Sequence, residues 1–125
     1  MSRLSAVLSK LSESAIIETG ASGNYEYYKY ADSKAEVWGY ENIASDSGTQ
    51  WVSGQPFYYQ DVDITLPSGV FASTPSEIVV SSGNTQWWVF GVWGTSSNKI
   101  RVRLVKIVAS AQAAIVRVHV RGTAA

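Results

Sequence analysis

Ala113-Ala114-Ile115-Val116-Arg117-Val118-His119-Val120-Arg121 alternates without a break. Ala114, Val116, Val118 and Val120 fall on one side of an extended chain, and Ile115, Arg117, His119 and Arg121 on the other. A period of two with one aliphatic and one largely basic side reads as a half-buried β-strand. The rhythm recurs upstream: Ile100, Val102 and Leu104 oppose Arg101 and Arg103, and Val62, Ile64 and Leu66 oppose Asp61 and Asp63. The aliphatic sides are the expected core. Of the charged sides, two are basic and one is acidic.

The same criterion marks seven strands: Tyr25 to Tyr30, Lys34 to Ile43, Pro56 to Leu66, Ser76 to Ser81, Gln86 to Trp93, Lys99 to Val108 and Ala113 to Arg121. Turn-forming residues separate them at Ala31-Asp32-Ser33, Ser45-Asp46-Ser47-Gly48, Ser82-Gly83-Asn84 and Thr95-Ser96-Ser97-Asn98. Short strands with polar turns predict an all-β fold, an antiparallel β-sandwich of about six to seven strands. Trp87 and Trp88 are neighbours and point to opposite faces of their strand; by parity Phe90 goes with Trp88 and Trp93 with Trp87. A lone sandwich wets the outer face of each sheet, so a strand apolar on both sides predicts that one face is covered by a second subunit.

Upstream of the strands, Leu4, Leu8, Leu11 and Ala15 are spaced four, three and four apart and form one stripe of a short N-terminal α-helix. That stripe either packs on its own domain or presents a leucine seam to identical chains. Gly20-Ala21-Ser22-Gly23 reads as a flexible break after it. The expected organisation is therefore an attachment segment over 1–19 and a sandwich domain over 20–125.

With 125 residues, 46% of them hydrophobic, the chain has material for one core. Ten basic and ten acidic side chains cancel and form no run, which argues against a nucleic-acid partner. Arg3, Lys10 and Glu13 interrupt the apolar residues of the first segment, which excludes a signal peptide or membrane insertion there. No cysteine is present, and His119 is the only histidine, so the ligands of a zinc site and the base of a nucleophile–base pair are both in short supply. Asp61 and Asp63 share a strand face at about 7 Å, a spacing known among glycosidases but more common between ordinary solvated or ion-paired acids. No enzyme, metal or cofactor is expected.

Tyr28-Lys29-Tyr30-Ala31-Asp32-Ser33-Lys34-Ala35-Glu36-Val37-Trp38-Gly39 resembles the opening hairpin of the C-terminal domains of bacteriophage tail-fibre and minor structural proteins. Ile64-Thr65-Leu66-Pro67, Phe71 and Thr74-Pro75 are similar to a second block of that family, and Ile115 to Gly122 to its closing strand. The blocks span most of Tyr25 to Gly122. The resemblance implies a trimeric antiparallel sandwich, like the H-type lectin fold, at the tip of a virion fibre, with host-surface glycan sites in the clefts between subunits. Ser33 departs from the family's turn glycine, and His119 stands where family members often carry an aromatic.

Saccharide recognition needs aromatic faces for sugar C–H surfaces and fixed polar groups for hydroxyls. Of five tryptophans and seven tyrosines, Trp38 and Trp88, with Phe90, are assigned to the core or a subunit interface. Trp51, Tyr58 and Tyr59, beside the long polar connection Ser45 to Gln55, are candidate ligand contacts. Arg101, Arg103, Arg117 and His119 complete the candidate set. The arginines, Arg121 included, either read an acidic glycan or wall polymer or pair with Asp61, Asp63 and Glu77 across strands or subunits. The expected function is a phage tail-fibre or receptor-binding tip domain, located in the virion, that binds host carbohydrate as a homotrimer and meets other virion proteins through its N-terminal helix. The alternatives are a purely structural head-fibre or baseplate component and a free-standing lectin.

Overall fold

The structure is a computed structural model that describes residues 15–83 and 86–125. These residues form nine strands in two antiparallel sheets: β1 (Ile16–Ser22), β2 (Tyr25–Tyr30), β3 (Lys34–Asp46), β4 (Thr49–Gln50), β5 (Tyr58–Thr65), β6 (Glu77–Ser82), β7 (Trp88–Ser96), β8 (Lys99–Lys106) and β9 (Gln112–Thr123). The larger sheet runs β1-β2-β3-β9-β6 and the smaller β4-β5-β8-β7. All seven expected strands are present, with β1 and β4 in addition.

The leucine stripe Leu4, Leu8 and Leu11 lies outside the described residues, and no helix occurs among those that are described. The chain is already in a strand at Ile16, and Gly20, Ala21 and Ser22, expected as a break, belong to that strand. A ring explains why a glycine is at home there: a Cβ on Gly20 would lie 2.5 Å from the Tyr27 ring, which covers the bare backbone. Tyr25 does the same for Gly39 in β3.

The β2–β3 turn shows how serine replaces the glycine expected there. Ser33 takes a φ of 67°, its N–H donates to the Tyr30 carbonyl at 3.1 Å, and the Asp32 carboxylate accepts from the Lys34 N–H at 3.1 Å. A three-residue hairpin loop places only its last residue in the left-handed region. One positive φ is tolerable for a short polar residue with local hydrogen bonds around it.

Alternation places the core as expected: Val116, Val120, Ile100, Val102 and Leu104 are fully buried and meet across the two sheets. Phe71, Val70 and Leu66, from the connection between β5 and β6, close one end, where Phe71 bridges to Ala124. At the other end Lys106 is buried. Its ammonium donates to the carbonyls of Val108 at 2.8 Å and Ser110 at 2.7 Å and lies over the rings of Tyr58 and Trp87. Burial of a cation demands such partners, and desolvation holds this amine below its usual pKa.

One face assignment is corrected. The ladder between β7 and β8 skips Phe90: Val89 faces Leu104, but Gly91 faces Arg103. This bulge adds one residue to β7 and reverses its parity. Trp93 therefore stands opposite Arg101 on the outer face, on the same side as Trp88 rather than that of the buried Trp87.

A Cβ at position 39 would lie 2.3 Å from the Tyr25 ring and 2.5 Å from the Asn24 carbonyl oxygen. The second of these is backbone and cannot swing aside. Gly39→Ala is expected to lose about 1–3 kcal/mol by overpacking, measured by denaturant unfolding, and Tyr25→Leu should not restore it.

Candidate functional site

The register of β5 on β8 places Asp61 opposite Arg103 and Asp63 opposite Arg101. Each pair closes two hydrogen bonds, at 2.8 and 2.8 Å for Arg103–Asp61 and 2.7 and 3.1 Å for Arg101–Asp63. Planar fork-to-carboxylate geometry of this kind is directional as well as charged. The guanidinium hydrogen bonds hold both carboxyls below the ordinary aspartate range.

Arg103 carries a second layer. Its guanidinium lies 4.4 Å from the Tyr59 ring centre and 5.0 Å from that of Trp51, within the reach of a cation–π contact. Trp51 in turn packs edge-on against Phe90 at 4.8 Å and Tyr59 at 5.5 Å, and beside Phe57 at 5.8 Å. The loop that presents Trp51 and Phe57 is closed on itself: the Trp51 N–H donates to Phe57 O at 2.8 Å and the Gln50 side chain to Gln55 O at 2.8 Å. Asp61, Arg103 and this loop together fix a patch of four aromatic rings on the outer face of the smaller sheet. Phe90 is 61% exposed there, on the crest of its bulge.

The larger sheet carries a different cluster on its outer face. Trp38 and His119 are cross-strand partners whose rings stack at 3.5 Å and 12°. Glu36 holds the pair in place, accepting from His119 Nε2 at 3.0 Å, from the Tyr30 hydroxyl and from the Trp38 indole, with Arg121 at 3.7 Å. Burial raises the Glu36 pKa, but these donors outweigh it, so the carboxyl stays below its ordinary value of 4.5. Tyr30, bonded to that carboxylate, is pushed up to about 12.

The seven candidate residues thus fall into three places. Trp51, Tyr59 and Arg103 meet in the aromatic patch, with Arg101 next to it. Tyr58 pairs with Lys106 and faces inward. Arg117 and His119 lie on the outer face of the other sheet, in the same strand as the buried Val116, Val118 and Val120 but on its opposite side. Phe57, Phe90 and Trp38 belong to these clusters and were not among the candidates. Trp38 is 48% exposed, so it is not in the core of its own chain. The signal for Phe90 was the glycine after it, since Gly inside a strand marks bulges.

The two sheets make an antiparallel β-sandwich with aromatic clusters on both outer faces, and solved structures share this fold. A P. aeruginosa R1 pyocin fibre comprising C-terminal residues 323–701 matches with a TM-score of 0.60 and 14% identity, over 86% of this chain and 29% of that chain. An N-truncated R1-type pyocin tail fibre matches with a TM-score of 0.61 and 17% identity, over 98% of this chain and 97% of that one. At these identities the likeness is one of fold. No protein-family model and no curated protein matches the sequence.

Because the folded-state pKa of Glu36 is depressed, its contribution to stability is complete above about pH 4.5 and is lost as pH falls through the lower folded value. Thermal unfolding followed between about pH 5 and pH 3 should show a smaller fall in Tm for Glu36→Gln than for the parent. The fall should not vanish, since Asp61 and Asp63 titrate in the same sense.

Proposed function

We propose that this domain is part of a phage-tail-like fibre and attaches the particle to its target by binding a host-surface carbohydrate or cell-wall polymer as a homotrimer. The observation that carries the reading is the patch of Trp51, Phe57, Tyr59 and Phe90 held by Arg103. Rigid rings beside fixed polar groups suit the alternating C–H and hydroxyl surface of a sugar. The fold likeness to pyocin tail fibres supports the setting in a particle appendage, and an H-type-lectin-like mode of binding agrees with both.

The homotrimer is supported by Trp88 and Trp93, which are 49% and 40% exposed on the same outer face. Large apolar groups in one area mark contact surfaces. Phe90 lies between them on the same strand, so a neighbouring copy seated on Trp88 and Trp93 would border the Trp51 patch directly and form the ligand cleft together with it. Binding rather than catalysis is the proposed work, since each acid of the Asp61–Asp63 pair is already committed to an arginine.

Screening the full chain on a glycan array should find a saccharide ligand, and Trp51→Ala should weaken it about ten-fold or more, the scale of one aromatic contact of ~1.4 kcal/mol. A well-folded chain that binds no glycan would leave the purely structural role in its place. Light scattering should give three times the chain mass, reduced to the monomer by Trp88→Glu combined with Trp93→Glu; a monomeric parent sinks the trimer.

A further inference from the structure

We infer that the outer face of the larger sheet holds a second subsite, specific for the acidic group of a saccharide, in the pocket between Arg117 and the Trp38–His119 pair. The pocket has a volume of about 330 Å³ and is lined by Trp38, Gly39, Val79, Ser81, Arg117 and His119, with Val118 at its floor. No carboxylate lines it.

Arg117 sets this pocket apart. Arg101 is paired with Asp63, Arg103 with Asp61, and Arg121 with Glu36 and Glu77. Among the described arginines, Arg117 alone has no acidic partner. Its cross-strand neighbours are Tyr40 on β3 and Ser81 on β6, a phenol and a hydroxyl that leave its charge uncompensated. A guanidinium with a free donor edge matches a carboxylate or a phosphate in two parallel hydrogen bonds.

The rest of the pocket fits the body of a sugar. Trp38 and His119 stand as a stacked pair whose orientation Glu36 fixes before any ligand arrives, so little side-chain freedom is lost on binding. Val79, 62% exposed and opposite His119, adds an apolar wall. The Ser81 hydroxyl is placed for a sugar hydroxyl. A uronic acid or a sugar phosphate would lay its ring against the aromatic pair and its anion on Arg117.

The saccharide class rests on the proposed function, but the site is on the other sheet from the Trp51 patch, which allows the two to fail separately. The full chain, labelled with ¹⁵N, is titrated with glucuronic acid, glucose 6-phosphate and glucose. At least one of the two anions should bind about ten-fold or more tightly than glucose, and should move the Trp38 indole and Arg117 side-chain signals. The tighter of the two identifies carboxylate or phosphate as the source. Arg117→Gln should abolish this preference, and Arg101→Gln and Trp51→Ala should leave it intact. Equal binding of glucose, no binding of either anion, or a preference that survives Arg117→Gln overturns the inference. A preference lost in Trp51→Ala but kept in Arg117→Gln also overturns it, while leaving the proposed function standing.

Discussion

The register in which β9 lies between β3 and β6 governs what this domain hides and what it shows. β9 is the one strand of the larger sheet that pairs with two partners distant in sequence, from Lys34↔Thr123 at one end to Asp46↔Gln112 at the other and with Glu77↔Arg121 on its far side. A slip of one residue would turn Val116, Val118 and Val120 outward and bring Arg117 and His119 into the core. The same register aligns Trp38 with His119 and Glu36 with Arg121. Core packing and the polar cluster on the surface are thus two sides of a single pairing.

The smaller sheet follows a similar rule with different chemistry. Its outer face is organised by two arginine–aspartate pairs that follow from how β5 meets β8. Exposed ion pairs add little to stability, and their value here is positional: Arg103, anchored by Asp61, supports Tyr59 and Trp51 with the face of its guanidinium. On one sheet an acid orients a cation that orients rings, and on the other Glu36 orients the rings directly. Arg117 is left over from both arrangements.

Most of the sandwich was legible because burial imposes a period of two. The inward and outward sides of β5, β8 and β9 follow from the sequence residue by residue. What was not legible depends on contacts between distant segments. Gly20 reads as a break until the Tyr27 ring is seen to cover it, and β4 is too short to leave a pattern. The parity of β7 fails at Phe90, where a bulge inserts a residue without changing composition. Trp51, Tyr59 and Arg103, singled out by residue type, do stand together in one cluster. Tyr58 was grouped with Tyr59, although adjacent strand residues face opposite ways. That Arg101 and Arg103 are committed to partners while Arg117 is not required the strand register, which no local pattern encodes.

The bulge at Phe90 has a further effect at the edge of its sheet. A row of unpaired backbone groups along a straight edge invites strand addition and fibrillar aggregation, and bulged or very short edge strands discourage it. Here β7 is bulged twice, β1 once near Ile16, and β4 has only two residues. The remaining edge, β6, runs alongside β7 where the two sheets approach. With its edges blunted in this way, a domain that exposes so many rings on its faces is guarded against open-ended growth by backbone pairing.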